Sequence, residues 1–257
     1  MNTKILNIYD EVFTSNTDFS NTIVEKHISK IKELDEFLPP SLSFFIVTNT
    51  AQNSFPFVSK NFEYNLGLDS ELMKTMGVPY WMSHFHPEEL ELWVHILQDL
   101  MIYTMTEVAP KKRLRLSYTW NFRIKKADGN YVNLFEHQVP VLVDENYKPV
   151  IGIGHLTMIG EGEPMPLKAT VKFLNENNEY ETLLNKNYSQ KLLTDGLTNR
   201  ENDIIRYLAL KKSSKEIAGI LGISSHTVDT HRRNILKKLN INSTGELTGY
   251  VKTHQLY

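Results

Sequence analysis

The 257 residues carry 28 Lys and Arg against 30 Asp and Glu, a formal charge of −2, and 41% are hydrophobic, enough for one large core or two smaller ones. Cysteine is absent, which excludes disulfides, thiolate zinc sites and cysteine nucleophiles. No apolar run approaches the roughly 20 residues a membrane helix needs. The opening residues also lack the apolar stretch of a signal peptide, so a cytoplasmic protein with no membrane partner is expected. The near-neutral balance hides a division. From Leu197 onward 10 basic residues face 5 acidic ones, whereas the 196 residues before it hold 18 basic and 25 acidic. An acidic body with a basic tail points to an anionic partner for the tail.

In chain order, residues 18–38 place Val24, Ile28, Ile31, Leu34 and Leu38 at helical spacing, and the helix must stop before Pro39-Pro40. Its apolar stripe suits packing on its own domain and a dimer contact equally well. "SFFIV" reads as a buried strand and "NSFPFVSKNFEYNLGL" as a strand running into a short helix. "HPEELELWVHILQDLMIYTM" is a helix, with Pro87 in its first turn and acidic residues where the helix dipole favours them. In "RLRLSYTWNFRIK", Leu114, Leu116, Tyr118, Trp120, Phe122 and Ile124 alternate with Arg113, Arg115, Ser117, Thr119, Asn121 and Arg123. That pattern predicts a strand with one face on a core and the other toward water. Asp128-Gly129 signals a hairpin turn. Strands over Tyr131–Val143 and Val150–Met158 complete a three-strand meander.

"FPFVSKNFEYNLGL", "HFHPEE" and "WNFRIKKADGNYVNLFEHQVPVLVDENYKPVIGIGHLTMI", in that order, resemble a PAS domain over about 120 residues. The resemblance implies a sensing or dimerising module. Tyr118, Trp120, Phe122 and Met101 are its candidate pocket residues, although they would serve equally in a solid core. His84, His86, Glu88 and His95 are available to a metal or haem, but His86-Pro87 already serves as a helix start, and no metal is expected. A flavin photoadduct would require cysteine. The opening "KILNIYDEV" is superficially similar to the start of a phosphoreceiver domain, yet no strand ending in aspartate follows: "FFIVTNT" offers Asn49. No phosphate loop, nucleophile elbow or metal-ligand spacing appears, and "GIGHLTMIGEGE" lacks the strand-to-helix setting of a dinucleotide fingerprint. The chain is not expected to be an enzyme, and its cofactor is unknown. Residues 162–193 match no pattern beyond a possible hairpin around Asn177-Asn178.

The tail carries three capping boxes, Thr198 with Glu201, Ser213 with Glu216 and Ser243 with Glu246, and a fourth helix start at Ser224 or Ser225. Four short helices follow. Their apolar stripes are Ile204, Ile205 and Leu208; Ile217, Ile220 and Leu221; Val228, Ile235 and Leu239; and Leu247, Tyr250 and Val251. Ala218 permits a close crossing and Gly222 turns the chain, a helix-turn-helix spacing. With Val228 in the core, His226, Thr230, Arg233 and Lys237 share the opposite face of the third helix, flanked by Asp229 and Asn234. All can reach a base edge or a phosphate.

"LTNRENDIIRYLALKKSSKEIAGILGISSHTVDTHRRNILKKLNI" closely resembles the LuxR-type helix-turn-helix. The resemblance implies that Asp229, Thr230 and Arg233 read bases, that Lys237 and Lys238 lie near the DNA backbone, and that the fourth helix dimerises. Thr227, Arg232 and Lys215 complete the set of DNA-contact candidates. Two positions depart from the pattern: Lys211, where relatives often carry glycine, and Asp229, where many carry lysine.

The fold class expected is thus α+β, a PAS-like antiparallel sheet with flanking helices followed by an all-α four-helix domain. The expected parts are an amphipathic helical segment (1–38), a PAS-like sensor (39–161), a connecting segment (162–193) and the helix-turn-helix domain (194–257). The function expected is a transcriptional regulator that binds double-stranded DNA as a homodimer, with a small-molecule ligand possible in the PAS-like domain. The alternative is a protein-interaction module whose helix-turn-helix no longer binds DNA.

Overall fold

A computed structural model describes residues 3–15, 21–189, 197–239 and 241–253. The chain divides into two units, Met1–Lys186 and Asn187–Tyr257.

The first unit is α+β. Its strands are β1 (Ser43–Asn49), β2 (Ser54–Val58), β3 (Leu116–Lys125), β4 (Tyr131–Val143), β5 (Pro149–Gly160), β6 (Lys168–Leu174) and β7 (Tyr180–Asn187). They form one sheet in the order β2-β1-β5-β4-β3-β6-β7. Between β2 and β3 run α3 (Asn61–Leu66), α4 (Ser70–Met76), α5 (Val78–Ser83) and α6 (Pro87–Glu107). Phe44, Phe62, Trp81, Phe85 and Phe122 pack edge to face, tilted or, for Phe85 on Phe122, stacked in the core beneath them. Fixing such aromatic pairs adds about 0.5–1.5 kcal/mol each beyond simple burial.

The start of α6 shows how the helices dock. His86 is its N-cap, and its Nδ1 accepts from the Glu88 amide at 3.4 Å. Glu89, in the first turn, is buried: its Oε1 accepts from Arg123 Nε at 2.5 Å and its Oε2 from the Arg123 amide at 2.7 Å. The His86 amide donates to the Arg123 carbonyl (3.1 Å), and the Lys125 amide to the His84 carbonyl (2.7 Å). The polar face of β3 is therefore not turned to water as the alternation predicts. Arg123 is satisfied by Glu89, and Asn121 by the Pro166 carbonyl and the Lys168 amide.

The strand also begins later than predicted. Pro110–Arg115 is a 3-10 turn, which inverts two residues: Arg113 is 5% exposed and Leu114 48%. Arg113 is held inside because its guanidinium donates to the carbonyls of Val108, Met105, Asn146 and Tyr147, groups that would otherwise be unpaired.

At the N-terminus, "KILNIYDEV" lies in a helix, α1 (Thr3–Phe13), because Ile5, Tyr9 and Phe13 recur every four residues and are buried. The second helix, α2 (Asn21–Phe37), packs Ile28 and Ile31 against Val47, Phe57, Val150 and Ile151. Leu34 and Phe37 are exposed, and the Val24 side chain lies outside the described residues. Residues 162–193, expected as a connector, contain the β6-β7 hairpin, with Asn178 left-handed at φ 61° in its turn. β6 pairs with β3 through Leu116↔Phe173 to Trp120↔Ala169, so this segment extends the sheet.

The second unit comprises α7 (Asn199–Ala209), α8 (Ser214–Leu221), α9 (Ser225–Lys238) and α10 (Thr244–Thr253). Ile204, Ile205, Leu208, Ile217, Ala218, Val228, Ile235, Leu247 and Val251 form its core, with Leu221 and Leu239 partly buried against it. Ile220 is 51% exposed rather than in the stripe. At 100° per residue, Leu221 falls between Ile217 and Ala218, whereas Ile220 lies about 60° beyond them. The Tyr250 side chain lies outside the described residues.

Candidate nucleic-acid interface and buried cavity

Four polar caps hold the second unit. The Thr198–Glu201 and Ser213–Glu216 boxes close reciprocally, each hydroxyl accepting from the amide three residues on and each glutamate reaching back. Ser224 Oγ accepts from the Thr227 amide at 3.0 Å. Ser243 Oγ accepts from the Glu246 amide at 3.1 Å, but Glu246 reaches one residue further back, to the Asn242 amide at 3.0 Å. Gly222 is left-handed at φ 65°, and Ile223 donates to the Ala218 carbonyl. Lys211 is left-handed too, at φ 58°, with the Lys212 amide donating to the Tyr207 carbonyl. That conformation suits glycine better than lysine.

These caps set α9 with one face outward. His226, Arg233 and Lys237 are exposed along it, and Thr230, half-buried, bonds the His226 carbonyl at 3.0 Å. Lys215 of α8 is exposed as well, and Thr227 is half-buried beside its cap. The other expected contacts are engaged within the domain. Asp229 Oδ1 accepts from Ser214 Oγ at 2.6 Å and lies 3.7 Å from Arg232. Arg232 donates to Ser214 Oγ (2.6 Å) and Thr244 Oγ1 (2.8 Å), so the pair ties α8, α9 and α10 together. Lys238 Nζ bonds the buried Glu201 carboxylate at 2.7 Å. Burial pushes the pKa of Glu201 up, but the bonds from Lys238 and Thr198 outweigh it and hold the carboxyl below its ordinary range.

In the first unit, a cavity of about 100 Å³ lies between the sheet and the helices. Tyr118, Trp120 and Met101 line it; Phe122 does not, being packed against Trp81 and Phe85. Tyr9 and Phe13 of α1 close one side, and Phe55, Trp81 and Trp93 add further aromatic wall. Two polar side chains of β4, Glu136 and Gln138, also line it, and the sequence reading missed both. Their signal was present in Gly152 and Gly154, on the strand β5 that pairs with β4. A Cβ at Gly152 would stand 2.3 Å from Gln138 Nε2, and one at Gly154 2.7 Å from Gln138 Oε1 and 3.2 Å from Glu136 Oε1. Alternating glycines inside a strand mark such a close approach.

Glu136 is 5% exposed. Burial pushes its pKa up to about 8; the Trp120 indole, the donor facing it, acts in the opposite direction. Tyr118 is pushed up to about 12, chiefly by burial, while its hydroxyl shares a 2.8 Å hydrogen bond with Thr104. Among the candidate metal ligands, His84 Nδ1 lies 2.9 Å from the Tyr80 carbonyl, and His95 Nε2 lies 3.7 Å from Asp99. Among the described residues no group of three or more His, Asp or Glu converges as a metal site would require, and no helix is long and apolar enough to cross a membrane.

The capped helices and the Gly222 turn define the second unit as a helix-turn-helix domain. Residues 195–251 match the family of bacterial regulatory proteins, luxR family. Over 61 residues the chain is 48% identical to the transcriptional regulatory protein MctR of Rhizobium johnstonii, a stretch amounting to 24% of this chain and 28% of that one. It is 47% identical over 60 residues to the fimbriae Z protein of Salmonella typhimurium, 23% of this chain and 29% of the relative. The chain thus spans less than a third of the length of these curated relatives, and the likeness concerns the second unit. Among solved structures, the phage VqmA–DPO complex is similar over 91% of this chain and 92% of its own, at 16% identity and a TM-score of 0.36. A PAS domain from Colwellia psychrerythraea is similar over 53% of this chain and 98% of its own, at 19% identity and a TM-score of 0.37. The second unit is a LuxR-type helix-turn-helix domain, and the unit ahead of it has an α+β fold built on one seven-stranded sheet.

Proposed function

We propose that the chain is a DNA-binding transcriptional regulator, acting as a homodimer, whose PAS-like unit takes a small-molecule signal and carries out no turnover. The observation that carries this reading is the exposed face of α9, where His226, Arg233 and Lys237 point outward on a helix capped by Ser224, Arg233 making only a long 3.4 Å bond to Thr230 on the same face. Thr230 and Arg233 are the base readers in this reading, and Lys237 and Lys215 the phosphate contacts. Asp229, Arg232 and Lys238 hold the reading helix in position. A signal in the cavity biases the geometry of the PAS-like pair and so the spacing of the two reading helices.

Selection of duplexes from a randomised pool by the full chain tests the reading. A two-fold symmetric site is expected, its half-sites separated by about 10–10.5 base pairs or a multiple of that. An unenriched pool would contradict it and favour a protein-interaction module.

A further inference from the structure

A carboxyl group buried without a cation is costly to hold, and a fold that keeps one on the wall of a cavity has a use for it. Glu136 is such a group: it is 5% exposed, the Trp120 indole faces it, and among the described residues no cation stands beside it. Gln138 Oε1 is buried without a hydrogen-bond partner, its Nε2 being used at 3.3 Å on Thr48. Two indole donors of the same wall, Trp93 Nε1 and Trp120 Nε1, are also without a hydrogen-bond partner in bonding geometry. No Lys, Arg or His lines the cavity; its other titratable side chains are Tyr9 and Tyr118. Trp81, Trp93 and Trp120 stand in the remaining wall among aliphatic and other aromatic side chains, and aromatic faces attract a desolvated cation.

We propose that this cavity binds a small primary amine, its ammonium held between the Glu136 carboxylate and Gln138 Oε1 and its short apolar tail lying among the tryptophans. The ammonium supplies the donor that Gln138 Oε1 lacks and the counter-charge that Glu136 lacks. An apolar cavity of about 150 Å³ holds benzene, so one of about 100 Å³ takes a short aliphatic chain. Among the described residues no second carboxylate lines the cavity, so a second ammonium would have no counter-charge and diamines are disfavoured. Burial raises Glu136 to about 8, so the amine transfers little net charge into the interior: it meets either the carboxylate or a carboxyl that releases its proton on binding.

This inference deepens the signal-binding part of the proposed regulator, and its test needs no DNA. The chain has three tryptophans, and Trp81, Trp93 and Trp120 all line the cavity, so intrinsic fluorescence of the full chain reports on it directly. Titration with n-butylamine, n-butanol, butyrate and 1,4-diaminobutane at pH 8 is expected to give saturable binding of butylamine at least 10-fold tighter than of the other three. In Glu136→Gln, whose fold is checked by circular dichroism, butylamine is expected to lose at least 10-fold while butanol is unchanged. Equal binding of butanol and butylamine, tighter binding of butyrate, or no saturable butylamine binding would overturn the proposal whether or not the variant folds. If amine binding fails while the full chain still selects a DNA site, only the ligand class is lost; if it succeeds while DNA binding fails, the regulator reading is lost instead.

Discussion

Asp229 and Lys238 carry charge that the fold itself uses, and this separates them from Arg233 and Lys237 on the same helix. Asp229 faces Ser214 and Arg232 rather than a base edge. Its replacement by alanine is therefore expected to weaken binding by a similar factor across a panel of duplexes, without a change of preference at any one base pair. Arg233→Ala should behave oppositely, losing about 1–3 kcal/mol of discrimination at one position. Competition assays with single-base variants of a selected site distinguish the two outcomes. Lys211 offers a stability test at the same scale. A left-handed lysine costs roughly 1–2 kcal/mol relative to the right-handed form, part of which glycine gives back through a freer unfolded chain. Lys211→Gly is expected to stabilise the second unit by about 0.5–1 kcal/mol, measured by urea denaturation followed by helical circular dichroism.

The elements of the second unit were legible because their signals are local. Each helix start is written in a hydroxyl, at three of the four with an acid three residues on, and the core stripes in the 3.6-residue period. Removing one cap, as in Thr198→Ala, should cost about 1 kcal/mol. The first unit was legible in its strands and its longest helix, but less so at its joints. Glu89 reads as a dipole-favoured acid, and only the arrival of β3 beside α6 shows it to be the buried partner of Arg123. Arg113 reads as an outward residue of a strand until four carbonyls converge on it, two from the C-terminal end of α6 and two from the β4–β5 turn. The Phe122 placement failed for a similar reason: strand alternation gives the face a residue shares, but not whether an aromatic neighbour or empty space lies opposite. Gly152 and Gly154, read only as a failed nucleotide fingerprint, were the sequence's mark of the cavity.

Across the whole molecule, Glu136 links stability to pH. Its folded pKa lies near 8, above the ordinary carboxylate value of 4.5, so the folded chain holds a proton that the unfolded chain has released. Stability is therefore greatest below the unfolded value and falls as pH rises from about 4.5 toward 8, by up to about 1.4 kcal/mol per pH unit. Glu136→Gln should remove this dependence; urea denaturation at pH 5 and pH 8, followed by tryptophan fluorescence, checks it in the first unit alone. The central claim is that the chain reads duplex DNA through α9. The most direct measurement is fluorescence anisotropy of a labelled duplex with the full chain and with Lys237→Ala across a salt series. Each phosphate contact contributes a slope of about −0.9 in log affinity against log salt. A slope near −4 or steeper is expected, reduced by about 2 in the variant because a dimer loses two contacts. Absence of binding at low salt, or a slope that Lys237→Ala leaves unchanged, would contradict the account.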